Sequence, residues 1–230
     1  MNRTLRRVYN LRSGKKMVYD LVDTNLIFFD LETTGFNSFH NSIIEIAAID
    51  NSGNTFNELI NPGVRIPKKI TEITHITDDM VRGCRSLDEV LYDFVQFCCY
   101  NNDGTERNME NTYLIAHNCI GFDRIFLERK MAHYGIPSPG WKYIDTLHLA
   151  HYLLPDLRYH RLSSLAKYWN IVNTNAHRAL SDVETMIKIW KLLIYMWKTT
   201  PSSVGFDPTG EDYLDVDTLH QFLTQFKKKR

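Results

Sequence analysis

The sequence predicts one α/β domain with a short extension at each end. Three observations lead there. The apolar run Leu26-Ile27-Phe28-Phe29 reads as a buried strand. Two further strand-like runs follow it, joined by turn residues as a hairpin. After them, segments of helical and strand periodicity alternate, which is the pattern of an α/β layer fold. A chain of 230 residues is long enough for one sizeable core, and nothing in its charge calls for a second domain.

The elements follow in order. Residues 1–24 read as a basic arm, with Arg3, Arg6, Arg7, Arg12, Lys15 and Lys16 crowded into it. The domain proper is expected from about Asn25 to Thr199. Ile43 to Asp50 is a second strand, Asn51-Ser52-Gly53-Asn54 has hairpin turn chemistry, and Thr55 to Ile60 returns as a third. Asn61-Pro62-Gly63 ends it. Leu87, Val90, Leu91, Phe94, Val95 and Cys98 keep helical spacing. Asn101 to Asn111 is polar and aperiodic and is expected to be an exposed loop. Tyr113-Leu114-Ile115-Ala116 is a short strand running into a helix over Ile120 to Tyr134, stopped by Gly135 and Pro137. Tyr143 to Thr146 is another strand end, and Leu162 opens a further helix. The last domain helix carries Val183, Met186, Ile187, Trp190, Leu193 and Ile194 on one stripe, a core face rather than a cofactor site. Residues 200–230 read as a linker, then a short helix over Tyr213 to Phe226, then a basic tail of Lys227, Lys228, Lys229 and Arg230.

Composition narrows the function. Lys plus Arg and Asp plus Glu both total 27, so net charge alone does not mark a nucleic-acid binder. The basic ends are either solvated tails or arms that reach phosphates. The four cysteines lack paired C-x-x-C spacing, which argues against zinc and against a disulfide framework, and points to a reducing cytoplasmic or nuclear compartment. The acid-free start of the chain also admits a mitochondrial transit segment. No run approaches the ~18 apolar residues of a membrane helix, so no membrane partner is expected.

The chemistry starts at Phe28-Phe29-Asp30-Leu31-Glu32-Thr33-Thr34-Gly35. On a strand, Asp30 and Glu32 point to one face while Leu31 turns into the core. Two like charges on one face repel, and burying them alone is costly. A hard divalent cation that favours carboxylate oxygens removes the conflict. Two more segments add to the set: His117-Asn118-Cys119-Ile120-Gly121-Phe122-Asp123, where a strand runs into a helix, and His177-Arg178-Ala179-Leu180-Ser181-Asp182, at the start of another helix.

In this order and context, the four acids and the histidine resemble the DEDD exonucleases of the DnaQ-like family. Arg178 stands where one branch of that family carries a tyrosine, and His177 stands where the other carries a histidine, so the chain resembles the histidine branch, DEDDh. The resemblance implies a ribonuclease H-like mixed five-stranded sheet flanked by helices, covering about three-quarters of the chain. It implies two-metal hydrolysis of phosphodiesters with two Mg²⁺ or Mn²⁺ ions. Asp30 would bridge them, Glu32 and Asp182 would serve the ion on the nucleophile's side, and Asp123 would act through water on the other. His177 would be the general base that takes the proton of the attacking water, a task suited to imidazole. It further implies that backbone groups around Leu31, Thr33 and Gly35 hold the terminal nucleotide, and that Ile76, in the stretch Ile73 to Met80, and Phe122 face the last bases. For Ile76 and Phe122 the alternative is plain core. Asp145 is expected to cap or support rather than ligate.

The function so implied is 3′→5′ exonuclease action on single-stranded ends, releasing nucleoside 5′-monophosphates, with DNA favoured. Six steps separate His117 from Asp123 where bacterial proofreading subunits usually have five, and Cys119-Ile120-Gly121-Phe122-Asp123-Arg124 also resembles a segment of the oligoribonucleases, so an exoribonuclease is the alternative. A different class, a non-catalytic nucleic-acid- or polymerase-binding module on the same fold, is disfavoured because all four acids and the histidine are retained. The sequence holds no polymerase motif, so proofreading would need a polymerase or other replication or repair partner.

Overall fold

The structure is a computed structural model that describes residues 24–199 and 216–228. The expectations for residues 1–23, for the linker and for the basic tail's side chains lie outside the described residues.

The sheet has five strands: β1 (Asn25–Thr33), β2 (Ile43–Asp50), β3 (Thr55–Leu59), β4 (Thr112–Ala116) and β5 (Lys142–Asp145), in spatial order β3-β2-β1-β4-β5. β1 pairs antiparallel with β2 and parallel with β4, so the sheet is mixed, as expected. β2 and β4 are buried almost throughout, which explains why they read as continuous apolar runs rather than alternating ones. β3, at the edge, is more exposed.

Helices cover the sheet. α1 (Lys68–Thr74), α2 (Asp78–Val81) and α3 (Leu87–Cys99) follow the hairpin; α4 (Asp123–His133) follows β4; α5 (Thr146–Leu153), α6 (Leu162–Tyr168) and α7 (Ala179–Thr199) follow β5. α3 is started by Glu89, whose carboxylate accepts from the Ser86 N–H at 3.1 Å. It brings Phe94 against Phe29 and Phe56, with ring centroids 6.2 and 5.6 Å apart. α7 sets its apolar stripe against β1 and β2, with Trp190 edge-on to Phe28 at 5.8 Å. A last helix, α8 (Val216–Lys228), packs by β5: Leu219 and Leu223 are buried, Phe222 meets Tyr152 edge-on and Trp197 at a tilt, and Asp217 accepts from Lys142 at 2.8 Å.

The loop at Asn101–Asn111 is more anchored than its polarity suggests. Arg107 is buried, with its guanidinium Nη2 2.7 Å from Asp50, and Met109–Asn111 forms a 3₁₀ turn. A polar residue in such a loop gives no sign in sequence that its partner lies 57 positions away. The helix expected from Ile120 begins at Asp123, because Asn118 adopts a left-handed φ of 67° and residues 118–122 form a turn.

Candidate active site

β1, β4 and β5 run parallel, so their C-terminal ends lie at one edge of the sheet, where open α/β folds place their ligands. Pairing of β1 with β4 ends at Phe28–Ile115, while β1 runs on to Thr33. Asp30 and Glu32 sit on that extension. The first residue of α4, Asp123, is buried, and its charge acts on both of them. Asp182 comes from the first turn of α7.

Donor atoms of Glu32, His177 and Asp182 lie within 4.8 Å of one another. His177 is exposed and holds a left-handed φ of 65°, and its N–H donates to Asp182 Oδ2 at 3.1 Å. Asn173 Nδ2 donates to Asp182 Oδ1 at 2.6 Å.

Burial and mutual charge link the four acids. Burial pushes the Asp30 carboxyl well above the usual range, and the charges of Asp123, Glu32, Asp182 and Glu45 push it further. Glu32 is raised to about 8 by burial, then by Asp182, Glu45 and Asp123, with Arg178 opposing. Asp123 is raised to about 7, chiefly by burial. Asp182 is also raised by burial, against the bonds from Asn173 and His177. Such a set of hard oxygen donors matches a divalent cation of the Mg²⁺ or Mn²⁺ type, and the imidazole beside it offers a proton acceptor.

Residues 27–190 match the family model RNase_T, described as exonuclease. The chain belongs to that family, the DnaQ-like 3′→5′ exonucleases. The PolC-type DNA polymerase III of Clostridium perfringens is 37% identical over 218 residues, covering 90% of this chain and 14% of that protein. That of Lactococcus lactis is 37% identical over 191 residues, covering 81% and 11%. This exonuclease chain therefore spans only a small part of the curated relatives it matches. Among solved structures, the E. coli exonuclease I complex with single-stranded DNA superposes with a TM-score of 0.63 at 20% identity, covering 75% of this chain and 41% of that one. Exonuclease X with 5′-overhanging duplex DNA gives 0.55 at 22%, covering 74% and 91%. These likenesses show the shared ribonuclease H-like fold.

Not every residue expected around the exonuclease site faces it. Leu31 buries its side chain. Thr33 is buried and its hydroxyl donates to the Gly35 carbonyl at 2.7 Å, shaping the turn after β1. A Cβ at Gly35 would lie 2.7 Å from Asn41 Oδ1, so a larger residue there would displace the Asn41 side chain from the Asn37 N–H that it accepts from. Phe122 is half-buried and lines an open groove of about 380 Å³ with Phe36, Gly121 and Ile125. Ile76 corrects the expectation: it has no exposed surface and packs with Ile44, Ile66 and Val81 in a small second core. Its segment folds as α1 and α2, two short helices that turn the apolar side chain inward.

His117 and Asp145 support the site from behind. Burial lowers the His117 pKa; Nε2–H donates to the His160 carbonyl at 2.8 Å, and Nδ1 is hydrogen-bonded with Thr146 Oγ1 at 2.9 Å. Asp145 accepts from the N–H groups of Asn118, Ile120 and Leu147, at 2.9, 3.1 and 2.9 Å. It thus caps α5 and fixes the turn that presents Asp123. Sequence reasoning missed Asn173 and Glu45. Glu45 left a signal, because it interrupts an apolar strand directly opposite Glu32.

Proposed function

We propose that this domain removes nucleotides from the 3′ ends of single-stranded DNA, releasing nucleoside 5′-monophosphates. The convergence of Glu32, His177 and Asp182 donor atoms within 4.8 Å carries this reading; the charges of Glu32, Asp123 and Asp182 act on Asp30 in the same site. Burial first, and then mutual repulsion, raises these carboxyls, which fits a pair of Mg²⁺ or Mn²⁺ ions held by Asp30, Glu32, Asp123 and Asp182. Held by those four acids, the ions would supply stabilisation of the attacking and leaving oxygens of an in-line displacement. Among the chain's own groups, His177 accepts the proton of the attacking water; its exposure leaves room for that water. Asn173 and the His177 N–H orient Asp182, and Asp145 orients the turn before Asp123. Phe122, in its groove, offers an aromatic face to a terminal base, and backbone groups near Gly35 border the same groove through Phe36.

DNA is favoured because the relatives are named as DNA polymerases and the exonuclease I neighbour holds single-stranded DNA. The PolC relatives also support work alongside a polymerase, with this domain removing misincorporated ends. The test uses 5′-end-labelled oligonucleotides of matched DNA and RNA sequence, and a closed single-stranded circle, with Mn²⁺ and with a chelator. The expected result is a ladder shortening from the 3′ end, faster on DNA, lost on chelation, with the circle intact. Cleavage of the circle, or full activity after chelation, would contradict the proposal. Faster loss of RNA would favour the exoribonuclease reading.

A further inference from the structure

Glu45 is out of place for a buried strand residue. It sits directly opposite Glu32 in the β1–β2 ladder, and its side chain is 1% exposed. Like charges opposed across a sheet repel, so a second influence must keep Glu45 there. That influence is the start of α7. Arg178 Nη2 donates to Oε1 at 2.8 Å, and Arg178 Nε lies 3.3 and 3.2 Å from the two carboxylate oxygens. The Ala179 N–H donates to Oε2 at 3.0 Å. A carboxylate from one strand therefore satisfies the first backbone donor of a helix from elsewhere in the chain, a remote version of an N-cap.

The residues gripped this way are the ones that aim the site. His177 is the immediate neighbour of Arg178. The Arg178 carbonyl accepts from the Asp182 N–H at 3.0 Å, the opening hydrogen bond of α7. A shift of Arg178 moves both side chains relative to Glu32, which is fixed on β1 beside Glu45.

We propose that Glu45 and Arg178 are positioning residues, an ion-paired latch that sets His177 and Asp182 at working distance from Glu32. Neither touches the reacting atoms. The inference rests on the metal-dependent exonuclease reading above.

Charge and position make opposite forecasts, and that separates them. If the pair acted only through its charge, Glu45→Gln would weaken cation binding by removing a negative group, and Arg178→Met would tighten it by removing a positive one. A latch forecasts loss in both. The experiment measures Mn²⁺ affinity by calorimetric titration of the whole chain, wild type and both variants, well below each melting temperature. Arg178→Lys is included because it keeps the charge and loses the fork. The expected result is a loss of about tenfold in Mn²⁺ affinity for Glu45→Gln and Arg178→Met alike, the usual scale for groups that orient metal ligands. The double variant should be no worse than the poorer single variant. Arg178→Lys should fall in between, and kcat at saturating Mn²⁺ should follow the same order with KM little changed. Unchanged or tighter Mn²⁺ binding in Arg178→Met, or wild-type affinity in Glu45→Gln, would overturn the latch. A wild type that binds no Mn²⁺ would overturn the reading of the site beneath it.

Discussion

β2 carries a buried acid near each end, and the two ends are solved differently. At the hairpin end, Asp50 accepts from the Ser52 and Asn54 N–H groups at 2.9 Å each, from Asn54 Nδ2 at 2.8 Å and from Arg107 Nη2 at 2.7 Å. Burial alone would raise its pKa, but these bonds outweigh it and the pKa is lowered. At the other end, Glu45 has Arg178, but Asp30, Glu32, Asp123 and Asp182 share the same space, and all four are raised. The hairpin end is complete within the protein. The site end leaves its charge unbalanced, an arrangement that suits a divalent cation.

The largest effects should come from the unbalanced end. His177→Ala leaves all four acids in place, so turnover should fall by roughly 10²–10⁴, the scale of a general base, with Mn²⁺ affinity nearly unchanged. Asp182→Asn should lose affinity as well as turnover. Turnover against oligonucleotide and Mn²⁺ titration of both variants check this; near-wild-type turnover in His177→Ala would remove the base assignment.

The balanced end should behave in the opposite sense. Arg107→Met strands the Asp50 charge where both side chains are nearly inaccessible, and should cost about 3–5 kcal/mol of stability. Mn²⁺ affinity and turnover per folded molecule should not change. Denaturant unfolding paired with Mn²⁺ titration measures both, and a loss of affinity would mean the two ends are coupled through β2.

Much of this was legible in the sequence, because period and punctuation carry it. The i, i+2 spacing of Asp30 and Glu32 fixes their shared face once β1 is a strand, and Asn51 to Asn54 mark the hairpin. Long-range partners were not legible. Arg107 in a polar loop and Arg178 at a helix start look like ordinary solvated cations until the fold brings Asp50 and Glu45 to them. Ile76 shows the converse limit. Its place in a segment resembling a nucleotide pocket suggested a surface role, but whether an apolar side chain faces a base or a core depends on the packing of α1 and α2. α1 itself offers little periodicity to find, since it is only Lys68–Thr74 and has no side-chain cap.

The most direct test of the unbalanced site is the melting temperature of the metal-free protein across pH 5 to 9, repeated with Mn²⁺. For carboxyls raised in the folded state, the protonated fold is favoured. Their contribution is fully present below about pH 4 and is lost as pH rises towards about 8, the value for Glu32. His117, with a lowered pKa, works in the other direction, so the difference between wild type and Glu32→Gln isolates the site. Relative to Glu32→Gln, the metal-free wild type should lose melting temperature as pH rises from 5 to 9. The gain on adding Mn²⁺ should grow over the same range, because binding then displaces fewer protons. A wild-type curve parallel to that of Glu32→Gln, with a Mn²⁺ gain independent of pH, would contradict the account.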